Sequence, residues 1–352
     1  MGQKAALKRK NNFMEALMAK VSVLGSGSWG TAMAMCLAQN GHDILLWSRS
    51  VDTTQNLESS HINERYLPGV VLPHNILFTS DISKCADADV IIVATPSHTV
   101  REVCSKISPH IKDGQIVVSI SKGFDEERFN RLSQVIQEEI PNCVVAAMSG
   151  PSHAEEVVKQ LPTTNVVGCA DINVAKYIQK IFMSEFFRIY TTDDIIGVEL
   201  GGSLKNVIAL CAGISDGLGY GDNTKAALMT RGMAEIIRLG LAMGAKYETF
   251  TGLSGIGDLI VTCTSMHSRN RRAGILIGQG KTPDEAQAEV KMVVEGVKTA
   301  RAVKYLSEKY NVEMPISETA YDVLFNGMPA KECAPLLMQR AMKNETETYV
   351  TG

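Results

Sequence analysis

The segment "ELGGSLKNVIAL", Glu199 to Leu210, places a lysine inside a run of Leu, Val, Ile and Ala. Withdrawing an ammonium from water is costly unless the group is paired or loses its proton more readily. A desolvated lysine exchanges a proton near neutral pH, so Lys205 is a candidate general acid or base. Asn206 beside it can hydrogen-bond a substrate or a cofactor. This segment alone leaves a second reading equally open, a lysine that snorkels out of a domain boundary. Gly201 and Gly202, one turn earlier, weaken a helix, and we expect them where a ligand approaches the backbone closely.

Three ends of β-rich runs carry further polar chemistry. "VATPSH" presents Thr95, Pro96 and Ser97. "SISKG" presents Lys122, placed to face an anion or a carbonyl, although a lone lysine there is more often a surface-loop residue. "MSGPSHAEE" presents Ser149, Gly150, Pro151 and Ser152, and His153 by itself reads as a structural histidine. The stretch "SGIGDLIVTCTSMHSRNRR", Ser254 to Arg272, is denser. Asp258 can orient and charge-balance a lysine, Thr262 follows, and Arg269, Asn270, Arg271 and Arg272 form a basic cluster. Arginine beside asparagine suits a phosphate. A solvated helix start is the plainer reading, but the neighbouring glycine-rich loops favour an anion site. "GDNTKAALMTRG" sets Asp222, Asn223 and Thr224 at a helix start.

A dinucleotide-binding turn is expected in "VLGSGSWGTAMA", which contains Gly25-x-Gly27-x-x-Gly30; a glycine-rich turn that holds nothing is the alternative. It follows a strand-like run and opens a helix, the context that makes this spacing informative. The first glycine allows the tight turn, the second admits a pyrophosphate to the backbone, and the third lets the helix pack on the strand. At the end of the next strand, where an acid would take the ribose 2′-hydroxyl of NAD, stand Ser48 and Arg49. Arg49 can meet a 2′-phosphate, which leans the expectation to NADP being accepted or preferred; a merely solvated Arg49 is the alternative.

These residues require two kinds of scaffold. Up to about Asp194 short Val/Ile-rich runs alternate with helical stretches, as in a doubly wound α/β sheet whose strands are buried on both faces. After it the β signals stop, and segments such as "NTKAALMTRGMAEIIRLGLAMG" recur at helical spacing. The expected fold is α/β: an N-terminal Rossmann-type domain over 20–193, then an all-α domain over 194–352. The basic residues 1–19 read as a disordered extension, with no signal-peptide core.

Composition narrows the function classes. Among 352 residues, 45% are hydrophobic and the net charge is −3, too balanced to argue for a nucleic-acid or membrane surface. No uninterrupted apolar run reaches the ~18 residues of a membrane helix. The eight cysteines are scattered without C-x-x-C, so they are expected reduced, in a cytoplasmic protein. No histidines pair at metal-ligand spacing, so no metal is expected.

Together "GSGSWGTA", "SKG", "SGPSHAEEV", "GVELGGSLKNVIA", "DNTKAALMTRG", "GDLIVTC" and "SRNRR" resemble the NAD(P)-dependent glycerol-3-phosphate dehydrogenases of bacterial type, in the same order and over nearly the whole chain. The resemblance implies reversible conversion of dihydroxyacetone phosphate to sn-glycerol 3-phosphate in the cytoplasm, supplying glycerophospholipid synthesis. It implies Lys205 as proton donor and acceptor, with Lys122 and Asp258 beside it. Gly150, Ser152, Asn206, Ser268, Arg269 and Asn270 would face the substrate, as would Lys122, Lys205 and Asp258. Gly25, Gly27, Ser28, Trp29, Gly30, Arg49, Ser50, Ala154, Val293 and Glu295 would surround NAD or NADP, with Lys122 and Arg269 reaching both ligands. A homodimer is expected, with small-molecule partners only. The rivals are a two-domain dehydrogenase of a hydroxy or keto acid, and a non-enzymatic dinucleotide sensor. The sensor predicts damaged catalytic positions, whereas Lys122, Lys205, Asp258, Arg269 and Asn270 are all present.

Overall fold

A computed structural model of the chain describes residues 18–342, 344 and 345. The extension expected over residues 1–19 therefore lies, up to residue 17, outside the described residues. Eight strands alternate with helices: β1 Lys20–Leu24, β2 Asp43–Trp47, β3 Ile76–Thr79, β4 Val90–Val93, β5 Ile116–Ser119, β6 Val144–Ser149, β7 Thr163–Gly168 and β8 Phe187–Thr192. They form one sheet in the order β3-β2-β1-β4-β5-β6-β7-β8. Periodicity explains the central strands. In β4, Val90 and Ile92 enter the core on one face while Ile91 and Val93 enter the core on the other, so the strand reads as an unbroken apolar run.

From β3 through β6 neighbours run parallel, but β7 pairs antiparallel to β6 and carries β8 with it. The doubly wound sheet thus ends in a reversed pair that the sequence did not announce. The β6–β7 connection, residues 150–162, holds a helix of only 4 residues, Ala154–Val157, too short to cover the sheet as the crossover helix of a parallel pair does. Strand order reverses between β1 and β4, which opens a crevice at their C-terminal ends.

Among the described residues only helices follow β8. The longest, Ile195–Gly217, is capped by Asp194, whose carboxylate accepts from Gly197 N at 2.8 Å, Lys246 N at 2.8 Å and Thr249 Oγ1 at 2.6 Å. It is long and apolar enough to cross a membrane, yet 83% of its apolar window is buried in this protein. Leu200, Leu204, Val207 and Ile208 anchor it in the helical core. It crosses helix Arg269–Gly278 backbone to backbone. A side chain at Gly213 would strike the Arg271 carbonyl, and one at Gly274 would strike the Leu210 carbonyl. This close crossing brings Asn270 of the "SRNRR" segment against Asn206.

Gly201 and Gly202 serve the same packing, contrary to the expectation of a ligand. A Cβ on Gly201 would meet the Ser254 carbonyl and one on Gly202 the Ser149 hydroxyl. Protein occupies the space on both sides. All eight cysteines are free, with Cys211 and Cys333 half-buried and the rest buried.

Candidate active site

A cleft of about 1560 Å³ runs from the β1 turn to the helical half. Its floor is the glycine turn. Gly25 has φ 121°, and an added Cβ would lie 2.8 Å from the Ala94 carbonyl oxygen, so only glycine fits. At Gly30 a Cβ would run into the Gly25 carbonyl, which lets helix Ser28–Gln39 sit down on the turn. Gly27 differs: nothing stands within 4 Å of its missing side chain. It caps the helix without a side-chain hydrogen bond, so the first-turn N–H groups are open to a pyrophosphate. These features fit a dinucleotide. Ser28, Trp29, Arg49 and Ser50 line the same end of the cleft. Arg49 is exposed just beyond β2, and Ser50 caps helix Val51–Ser60 by accepting from Thr53 N at 3.3 Å.

Asn63 braces this turn and escaped sequence reading. It is 4% exposed, and its Nδ2 donates at 2.8 Å to both the Ser26 carbonyl and Thr31 Oγ1. An asparagine in "SHINERY" carries no local signal of a partner 37 residues away.

Deeper in the cleft lies a lysine–carboxylate–lysine cluster. Lys205 Nζ donates to Asp258 Oδ1 at 2.5 Å and to Thr262 Oγ1. Lys122 Nζ donates to Asp258 Oδ2 at 2.6 Å, to Ser152 Oγ at 3.0 Å and to the Gly150 carbonyl at 3.1 Å. Lys205 is 5% exposed, so the snorkelling alternative fails. A π-helical turn, Leu253–Gly257, leads into helix Asp258–Thr264 and aims Asp258 and Thr262 at Lys205. Burial pulls the Lys205 ammonium down from 10.5 to about 8; Asp258 opposes this and Lys122 adds to it. Burial disfavours ionised Asp258, but the two ammonium groups outweigh it and hold the carboxyl below its usual range.

The far wall comes from helix Arg269–Gly278. Ser268 caps it, accepting from Arg271 N at 3.2 Å. Asn270 Nδ2 donates to Asn206 Oδ1 at 2.8 Å while its own Oδ1 accepts from Gly296 N at 2.8 Å. Glu295 accepts from Ser97 Oγ at 3.0 Å; burial raises its carboxyl, with Arg269 and Lys298 opposing. Val293 lines the cleft beside it.

Some expected residues lie elsewhere. Arg271 donates from Nε to Asp216 at 2.8 Å and from Nη1 to the Thr264 carbonyl at 2.8 Å, so it braces the loop rather than facing the cleft. Arg272 is exposed. Asp222, Asn223 and Thr224 start helix Asp222–Ala242 outside the cleft. Ala154 is buried in the sheet's core, and Gly150 meets the cluster through its carbonyl. His153, read as structural, lines the cleft.

The N-terminal half matches the family described as NAD-dependent glycerol-3-phosphate dehydrogenase N-terminus over residues 20–175, and the C-terminal half matches its C-terminus over residues 194–335. The glycerol-3-phosphate dehydrogenase (NAD(P)+) of Agathobacter rectalis is 54% identical over 329 residues, covering 93% of this chain and 98% of the relative. The enzyme of the same name from Lysinibacillus sphaericus is 52% identical over 334 residues, covering 94% and 99%. The crystal structure of glycerol-3-phosphate dehydrogenase from Coxiella burnetii superposes with a TM-score of 0.88 at 35% identity, covering 92% of this chain and 99% of that one. With both halves present in order and nearly complete, the chain belongs to the NAD-dependent glycerol-3-phosphate dehydrogenase family.

Proposed function

We propose that this NAD(P)-dependent oxidoreductase reduces dihydroxyacetone phosphate to sn-glycerol 3-phosphate, reversibly, with the dinucleotide at the Gly25–Gly30 turn. The observation that carries the reading is the Lys205–Asp258–Lys122 cluster opening into the same cleft as that turn. The bound dinucleotide supplies or accepts the hydride. Lys205 gives a proton to the C2 oxygen in reduction and, as the neutral amine, takes it back in oxidation. A value of about 8 keeps both forms populated near neutral pH. Asn206 directs its carbonyl to Asn270, which leaves its Nδ2 to donate to the substrate carbonyl. Lys122 already uses three donors and reaches the substrate by exchanging the one to Ser152.

Lys122, Lys205 and Arg269 outnumber the carboxylates Asp258 and Glu295 beside them, three cations to two. That positive surplus suits a phosphate. Anchoring the phosphate at Arg269 and the capped helix start fixes C2 against the hydride donor, an orientation effect. Arg269→Ala will therefore raise KM for dihydroxyacetone phosphate roughly 10- to 100-fold, the worth of a hydrogen bond to a charged group, with a smaller effect on kcat. Steady-state kinetics decides it.

The deciding assay follows absorbance of NADH or NADPH with dihydroxyacetone phosphate. Oxidation that requires this ketone supports the reading; folded protein that oxidises neither cofactor refutes it. The same assay tests Arg49, whose replacement by Gln will lower kcat/KM for NADPH by roughly 10- to 100-fold and leave NADH nearly unchanged. An equal loss with both cofactors would assign Arg49 no role at the 2′-phosphate. The reading includes a cofactor unit over 20–193, a substrate unit over 194–352, cytoplasmic location and supply of glycerophospholipid synthesis. Leu336 and Met338, exposed on helix Cys333–Met338, support a homodimer.

A further inference from the structure

Ser203 stands two residues before Lys205 on helix Ile195–Gly217 and is 2% exposed. Its hydroxyl accepts from Gly123 N at 2.8 Å and donates to the Gly123 carbonyl at 3.2 Å. Gly123 directly follows Lys122. It has φ 128°, and a Cβ there would lie 2.8 Å from Ser97 Cβ. Both backbone polar groups of the residue after Lys122 are thus held by the helix that carries Lys205. The side chains close the same path on the other side. Lys122 reaches Asp258 Oδ2 at 2.6 Å, and Asp258 Oδ1 meets Lys205 at 2.5 Å. Ser203, Gly123, Lys122, Asp258 and Lys205 form a ring that spans both halves of the chain.

We propose that Ser203 is a positioning residue for the reaction: its hydroxyl sets the distance between the Lys122 and Lys205 ammonium groups, and with it the alignment of a substrate carbonyl between them. The inference rests on the function proposed above. Holding the two halves together does not depend on this hydroxyl. Glu199, on the same helix, accepts from Ser133 N at 2.7 Å, Ser133 Oγ at 2.5 Å and Arg131 Nη1 at 2.5 Å, and Gly202 packs on Ser149. What Ser203 alone supplies, among the described residues, is a side-chain clasp on the backbone beside Lys122. Without it, a buried N–H and C=O lose their partner, a state that proteins avoid. Glycine offers the least resistance to the backbone turning that would recover them, and that turn carries Lys122 with it.

The consequence is visible in pH dependence. The charged and titratable groups facing Lys205 are Asp258 and Cys263 on helix Asp258–Thr264, Lys122 after β5 and His153 after β6. Burial pushes Cys263 up to about 12 and His153 below its usual value, so both are neutral in the slightly alkaline range. The Asp258 carboxylate is held by Lys205 and its backbone carbonyl by Thr262 Oγ1, independently of Ser203. Lys122 is the group that moves. Its positive charge lowers Lys205, so its withdrawal raises Lys205 and shifts the alkaline limb of the reduction rate to higher pH.

The test is Ser203→Ala beside Ser203→Thr, which keeps the hydroxyl. Readouts are kcat and KM for dihydroxyacetone phosphate, NADPH affinity by fluorescence, melting temperature and the kcat–pH profile. In the alanine protein kcat will fall about 10- to 100-fold, the scale of an ångström-sized misplacement. NADPH affinity will change less than kcat, since the glycine turn at the other end of the cleft is untouched, and the alkaline limb will move up. Ser203→Thr restores both rate and limb. An alanine protein with wild-type kcat overturns the proposal, and so does a loss of kcat with the limb unmoved. If the alanine protein does not fold, the same comparison on Ser203→Cys decides, because it keeps the volume while weakening both hydrogen bonds. A wild-type chain that binds NADPH but does not reduce dihydroxyacetone phosphate overturns the proposed function and this inference together. An active wild type with an indifferent Ser203→Ala removes this inference alone.

Discussion

A Lys205→Ala protein will bind NADH and NADPH with near wild-type affinity and turn over about 10²- to 10⁴-fold more slowly, the usual worth of a positioned general acid. Cofactor binding survives because the glycine turn and its Asn63 brace lie at the other end of the cleft. Folding survives because Asp258 keeps Lys122 at 2.6 Å, so no unpaired charge is left behind. The pH profile supplies the sharper test. Reduction needs the ammonium, so the wild-type rate falls as pH rises through about 8, the value to which burial pulls Lys205. Oxidation needs the amine, so its rate rises through the same range. Both limbs will be absent from the alanine protein. Fluorescence titration with NADPH, paired with initial rates in both directions, checks all of this. Wild-type turnover in folded Lys205→Ala would remove Lys205 from the mechanism.

Asp258→Asn will be the most destabilising single change at the site. The carboxylate is 1% exposed and lies between two ammonium groups. Removing one partner of a buried ion pair costs about 3–5 kcal/mol, because the charge left behind has no compensation. The two lysines will respond differently. The Lys122 side chain is 19% exposed and can turn towards water. Lys205, at 6%, cannot, and sheds its proton instead. Its value then falls below about 8, and the alkaline limb of reduction moves to lower pH, opposite to the shift argued for Ser203→Ala. Stability follows the same sign. The unfolded lysine holds its proton to a higher pH than the folded one, so folding releases a proton and stability rises with pH across that window. The deficit relative to wild type will therefore widen as pH falls from about 8 towards the variant's lower value. Melting curves at several pH values, with kcat at each, measure both effects. An unchanged melting temperature would mean that Asp258 is not the counter-ion of the buried lysines.

Legibility in the sequence followed the range of each interaction. The central strands were readable because burial on both faces needs a local run of Val and Ile, as in Val90–Val93. The glycine turn was readable because its three constraints, a positive φ, an open N-terminus and a tight helix contact, fall within six residues, Gly25 to Gly30. The reversed pair β7–β8 was not, because strand direction is set by pairing across the sheet, which no local pattern records. Gly201 and Gly202 misled for a related reason: a glycine reports that something comes close, without saying whether that is ligand or protein.

By itself the sequence determined the fold class and the glycine turn, and it contains every charged group of the lysine–carboxylate cluster. It also marked Lys205 as anomalous, since a lysine among Leu, Val and Ile conflicts with local burial whatever its partner. Only the tertiary structure decided what that lysine meets. Asp258 lies 53 residues away, Asn270 lies 64 residues from Asn206, and Ser203 reaches across 80 residues to Gly123. Of the basic cluster, it turned Arg269 to the cleft and Arg271 to Asp216. Residue type and spacing record what a side chain can do. Its proton affinity and orientation are set by groups within a few ångströms, and those are chosen by how the helices cross.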